Sequence, residues 1–96
     1  MSTLNLDFNN NLILFADILV ALGSRRRIEI MKIISDGKDW TISDMAHIMN
    51  CGISNLSQQV AELEKAGLVV KKISKTIGNN TKVIKPTYRN INIRLW

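Results

Sequence analysis

The chain is poor in the residues that most chemistry requires. It has one cysteine and one histidine among 96 residues, and five aromatic side chains. A single thiol excludes an intramolecular disulfide and fits a reducing interior; nothing further supports a disulfide between two copies through Cys51. No nucleophile and base stand together, no paired carboxylates mark a cleft, and no glycine-rich phosphate loop occurs, so neither an enzyme nor a cofactor site is expected. His47 and Cys51 stand four apart, but structural zinc takes four ligands and catalytic zinc three plus water, so no metal site is expected either. The longest apolar run, residues 12–22, is broken by Asp17 and falls well short of the roughly 20 residues of a bilayer span. The first basic residue, Arg25, comes after that run rather than before it. A secretory signal and a membrane partner are therefore not expected, and a cytoplasmic location is.

The most informative absence is of acids. Residues 1–64 hold all eight Asp and Glu against five Lys and Arg, whereas residues 65–96 hold Lys65, Lys71, Lys72, Lys75, Lys82, Lys85, Arg89 and Arg94 with no acid. Such asymmetry points to a surface that meets a polyanion, of which nucleic acid is the commonest.

What is present is organised around residues 41–66. Ile53, Leu56, Val60 and Leu63 recur at helical spacing and predict a buried stripe, while Ser54, Asn55, Ser57 and Gln58 face outward, with Gln59 beside them. An ordinary solvated helix face is rich in Lys and Glu, which are better helix formers than Ser and Asn. Amide and hydroxyl side chains are what a helix in a major groove needs, because Asn and Gln pair bidentately with adenine and Ser contacts several bases. The helix, about 53–66, should end with Gly67 at C′, which sets Leu63 against Leu68. A shorter helix carrying Met45, Ile48 and Met49 should open at Thr41 or Ser43, with Asp44 in its first turn. Asn50, Cys51 and Gly52 then form the turn of a helix-turn-helix.

Around this core the chain divides readily. Residues 1–10 read as a loose N-terminus, and an Asn caps the helix at residues 11–22. That helix is apolar on all sides, more than a domain this small can bury alone, and predicts a homodimer interface. Ser24 should cap the next helix, with Ile28, Met31 and Ile34 as its buried stripe. Arg25, Arg26 and Arg27 in its first turn oppose the helix dipole and call for an anion, either DNA phosphate or a carboxylate of this chain or its partner. Trp40 to Ile42 reads as a short strand, with Trp40 packing in a core or sheet. Residues 68–86 read as two strands around Ile77, Gly78, Asn79 and Asn80, whose Gly and Asn tolerate positive φ. Lys71, Lys72, Lys75, Lys82 and Lys85 line this hairpin and, with Asn79, Asn80 and Arg25, are the expected phosphate contacts. Alternation after Pro86 predicts a C-terminal strand that extends the hairpin sheet or pairs across subunits.

The segments T-I-S-D-M-A-H-I-M-N and S-N-L-S-Q-Q-V-A-E-L-E-K-A-G-L-V resemble the winged helix-turn-helix of ArsR- and MarR-type regulators. The upstream L-G-S-R-R-R-I-E-I-M-K-I-I resembles the Arg-containing helix before that motif in the ArsR group, so the likeness covers roughly residues 20–86. It implies one α+β, mainly α domain over residues 1–96, with about four helices, a β-hairpin wing and here a C-terminal strand. Two departures stand out: the Cys-x-Cys pattern of the metal sensors is missing, and a strand replaces the C-terminal helix many ArsR-type dimers use. The function expected is sequence-specific double-stranded DNA binding by a homodimeric transcriptional regulator. Ser54, Asn55, Ser57, Gln58 and Gln59 would read bases while the wing holds the backbone, and the dimer would form through the 11–22 helix and the C-terminal strand. Two alternatives stay open: a winged-helix module for an acidic protein partner, and a non-specific architectural DNA binder. RNA is the weaker expectation, since the polar helix lacks aromatics on which splayed bases stack.

Overall fold

Among residues 2–9, 11–78 and 80–94, which the computed structural model describes, the elements run β1 (Ser2–Asp7), α1 (Leu12–Leu22), α2 (Arg25–Ile34), α3 (Ile42–Met49), α4 (Ile53–Lys65), β2 (Val69–Ile73), β3 (Lys82–Pro86) and β4 (Tyr88–Arg94). The fold is mainly helical with two small sheets, and its four helices and β2–β3 hairpin are those of a winged helix. Asn79 and Trp96 lie outside the described residues.

The helix boundaries have identifiable causes. Ser24 Oγ accepts the Arg27 N–H at 3.4 Å and Thr41 Oγ1 accepts the Asp44 N–H at 3.0 Å, so α2 and α3 begin on hydroxyl caps. At the end of α4, Gly67 adopts φ +79°, its N–H donates to Glu64 O at 3.0 Å and the Leu68 N–H donates to Leu63 O at 3.0 Å. These are the two bonds of the expected Schellman ending, and Leu63 and Leu68 are both fully buried. The start of α1 differs from expectation. Asn11 sits at the N-cap in the left-handed region, φ 46°, and its side chain makes no capping bond.

One core joins all four helices to both sheets. Ile18, Ile30, Ile34, Met45, Leu56, Val60, Leu63, Leu68, Val69 and Ile84 are its fully buried members. On α2 the buried stripe is Ile30 and Ile34, not the expected Ile28, Met31 and Ile34: Ile28 is 52 % exposed and Met31 only partly covered. The phase differs because Arg27 occupies the inward seat of the first turn, where it bonds to the end of α1. On α4, Ile53, the first residue of the helix, is likewise 55 % exposed rather than part of the stripe.

The hairpin pairs β2 with β3 antiparallel, Val69 opposite Pro86 and Ile73 opposite Lys82. Trp40 adds a single-residue bridge, its C=O accepting the Ile84 N–H at 2.8 Å, in place of the strand expected at Trp40 to Ile42. The N-terminus is not loose. Residues 2–7 form β1, which pairs parallel with β4, Leu4 opposite Ile91 and Leu6 opposite Ile93. The alternation of Leu4 and Leu6 with Thr3, Asn5 and Asp7 is a strand period, and Leu6 is buried against the core. No local signal announces the partner, because the two strands come from opposite ends of the described chain. The C-terminal strand thus exists as expected, but within this chain it joins β1 rather than the wing sheet.

Candidate nucleic-acid interface

Leu56, Val60 and Leu63 hold one side of α4 in the core, and this fixes what the other side presents. Ser54, Asn55 and Gln58 are exposed, while Ser57 and Gln59 are half-buried. Gln59 departs from the expected base-reading set: its Oε1 accepts the Arg27 Nη1–H at 2.9 Å. It lies on the flank of α4 turned toward α2, one residue before buried Val60, and is held there by the guanidinium.

Arg27 also explains the cationic first turn of α2. Its Nε donates to Ala21 O at 2.6 Å and its Nη2 to Val20 O at 3.3 Å. The anionic partner that the sequence called for is therefore, for Arg27, the negative end of the α1 dipole, at the Ala21 carbonyl and at the Val20 carbonyl that also accepts the Gly23 N–H. Arg25, expected on phosphate, is highly exposed and makes an i,i+4 pair with Glu29 Oε1 at 3.1 Å. Such a surface pair holds the side chain only weakly.

The wing lysines fall into two groups. Lys72, Lys75 and Lys82 are exposed, as are Asn80 and Lys71, the last lying 3.9 Å from Glu64. Lys85, also expected on phosphate, differs in its surroundings: Nζ lies 2.8 Å from Asp39 Oδ1 and donates to Gly37 O at 2.7 Å and Lys38 O at 3.0 Å. The acid missing from the wing's own sequence is thus supplied from the segment between α2 and α3.

Asp39 is the centre of a network that sequence reasoning missed. Its Oδ2 accepts from Ser74 Oγ at 2.6 Å and Thr76 Oγ1 at 2.8 Å, while Ser74 Oγ accepts the N–H groups of Thr76 and Ile77 at 3.1 and 2.9 Å. Lys85 and then the two hydroxyls hold the Asp39 carboxyl far below the usual carboxylate range. Nearby, Asp36 Oδ1 accepts the Lys38 N–H at 2.9 Å and the Trp40 indole N–H at 3.0 Å, and its pKa is lowered chiefly by that backbone bond. These contacts end the wing strands at Ile73 and Lys82, short of the expected Thr76 and Thr81. The hydroxyl of Ser74, the one buried polar side chain among the described residues, folds the following backbone into a turn. The pattern S-x-T beside a hairpin is a local turn signal; its acid partner is far away in sequence and was not legible.

His47 is exposed and Cys51 half-buried. Among the described residues, no three His, Cys, Asp or Glu side chains gather as metal ligands, and no helix is long and apolar enough to cross a membrane. The arrangement is a core-anchored helix with a short uncharged polar face, beside a basic hairpin braced at its base.

The sequence model of the MarR family matches residues 24–76, from the cap of α2 through both helices of the helix-turn-helix and into the wing. No curated protein matches the chain.

Proposed function

Since the chain belongs to the MarR family of winged-helix, DNA-binding transcription regulators, we propose that it binds double-stranded DNA sequence-specifically as a homodimer. In this arrangement α4 enters the major groove, Ser54, Asn55 and Gln58 meet base edges, and half-buried Ser57 borders them. The exposed Ile53 at the start of α4 suits a thymine methyl. Lys72, Lys75 and Lys82, with Asn80, hold phosphates beside the groove and Lys71 joins them on release from Glu64; these contacts position the protein without reading sequence.

The observation that carries base reading is the exposed trio Ser54, Asn55 and Gln58 on a helix whose opposite side is fully buried. A solvated face with no partner gains nothing from two poor helix formers, Ser54 and Asn55, and no charge. The test compares Gln58→Ala with the parent on a selected duplex and on random duplex. The expected result is a loss of about 1–3 kcal/mol confined to the selected sequence, with relaxed preference at one base pair. Equal losses on both duplexes would leave an architectural binder, and no binding at micromolar protein in low salt would leave a protein-interaction module.

The dimer is supported by α1. Leu12, Ile13 and Val20 are 62, 78 and 71 % exposed on its outer side, although Phe15, Ile18 and Ala21 are buried on the inner one. Neighbouring exposed apolar groups of this size favour a protein contact. Light scattering should give a dimer mass at micromolar concentration, and Ile13→Glu with Val20→Glu should give a monomer that keeps its helical circular dichroism. A monomeric parent would exclude the dimer.

A further inference from the structure

We propose that two copies of this chain pair through the outer edge of β1, antiparallel about a twofold axis at Asn5, joining their β1–β4 sheets into one sheet of four strands. This rests on the dimer inferred above and names its backbone contact.

β1 has β4 on one edge and no strand on the other among the described residues. The Phe8 N–H donates to Arg94 O at 3.3 Å, and the peptide groups of successive strand residues turn alternately to the two edges. Leu4 and Leu6 therefore face β4 in step with Phe8, whereas Thr3, Asn5 and Asp7 turn their N–H and C=O groups to the open edge. A twofold axis sets a strand antiparallel to its own copy. Residues directly opposite then share a face, so odd residues must meet odd and even meet even if Leu4 and Leu6 are to stay on the core side.

Centring the pair on Asn5 meets both conditions. Asn5 faces Asn5 of the second copy, Thr3 faces Asp7, and each of these outward-turned residues exchanges both backbone bonds. On the core side Leu4 meets Leu6; on the solvent side a Thr hydroxyl meets a carboxylate. Asn5 Oδ1 already accepts from Asn92 Nδ2 at 3.1 Å, and its own amide N–H groups are left for the axis. Centring on Leu4 instead would push Asp7 to the end of the ladder.

The β4 edge is the poorer choice. Ser2 lies opposite Tyr88 but Thr3 lies opposite Asn90, so Arg89 is an extra residue that bulges β4. A bulge and a cation are the usual protections of a free edge, and β1 has neither. A two-stranded parallel sheet with Thr3, Asn5, Asn90 and Asn92 in water is also an unusual end point, since parallel pairs are normally covered on both faces and short ribbons are marginal. Joined at β1, the sheet has four strands and loses its unprotected edge.

The test places single cysteines in the full chain on a Cys51→Ser background. Opposed residues of a hydrogen-bonded antiparallel pair lie about 5.5 Å apart at Cα, within disulfide range. Under mild oxidation Asn5→Cys should give a covalent dimer on a non-reducing gel and Asn92→Cys should not. Thr3→Cys mixed with Asp7→Cys should cross-link, while neither does so alone. Asn5→Pro, which removes the N–H on the axis, should give a monomer mass with helical circular dichroism retained. If the parent is a dimer but Asn5→Cys stays unlinked, or Asn92→Cys links instead, the β1 pairing is overturned and the dimer reading survives. If the parent is a monomer, both fall.

Discussion

Lys85 Nζ lies 2.8 Å from Asp39 Oδ1, joining the second strand of the wing to the segment that leads into the helix-turn-helix. Asp39 simultaneously accepts from Ser74 and Thr76 at the far end of the first wing strand. One carboxylate thus grips both strands of the hairpin and sets how the wing stands relative to α3 and α4. Lys85 is a brace, while Lys71, Lys72, Lys75 and Lys82 stay exposed on the wing.

This brace should respond to acid. The folded-state pKa of Asp39 is depressed by Lys85, Ser74 and Thr76, so its contribution to stability is complete above the unfolded carboxylate pKa of about 4. It is lost progressively as pH falls below that value toward the folded one. Asn at this position cannot form the ion pair at any pH. Asp39→Asn should therefore lower the thermal midpoint at neutral pH, with the gap to the parent narrowing below about pH 4; a gap independent of pH would contradict the brace.

Salt dependence separates the two kinds of lysine. Lys75→Ala should weaken selected and random duplexes alike and reduce the slope of log K against log salt by about one. Lys85→Met should lower thermal stability and leave that slope unchanged. A slope change for Lys85→Met equal to that for Lys75→Ala would return Lys85 to the phosphate surface.

Arg27 ties the end of α1 to α2 and α4 through three hydrogen bonds. Arg27→Met should destabilise the fold by about 2 kcal/mol, the range for bonds made by a charged donor, as read by chemical denaturation. Gln59→Ala should cost about 1 kcal/mol and leave base preference intact. Altered base preference for Gln59→Ala would place that side chain in the groove after all.

Gly67 holds φ +79° at the end of α4, and a Cβ there would meet nothing within 4 Å. The effect of Gly67→Ala is therefore conformational alone, about 1 kcal/mol or slightly more. Denaturation midpoints read it directly, and a neutral substitution would mean that the left-handed ending contributes nothing to stability.

The features that follow from neighbours in the chain were legible beforehand. The span of α1, the cap at Ser24, the narrowing of the α3 cap to Thr41 or Ser43, the Schellman ending at Gly67 and the outward set Ser54, Asn55 and Gln58 all depend on periodicity and local backbone chemistry. Such signals act within a few residues, although the Asn cap expected for α1 makes no capping bond. The phase of α2 was misplaced for the opposite reason. Counting apolar residues put Ile28 inside, but a guanidinium that finds helix carbonyls is a better inward neighbour than spacing suggests, and Ile30 took the buried seat.

Amino-acid order alone decided the helix-turn-helix, its polar outward face and the sign of the wing's charge. Only the folded chain decided which polar groups stay available: it gave Gln59 to Arg27 and Lys85 to Asp39, and it brought β1 to β4. The physical reason is range. A helix cap or a turn is fixed by groups a few bonds apart, whereas an ion pair or a parallel strand pairing joins groups that meet only after the core has closed between them.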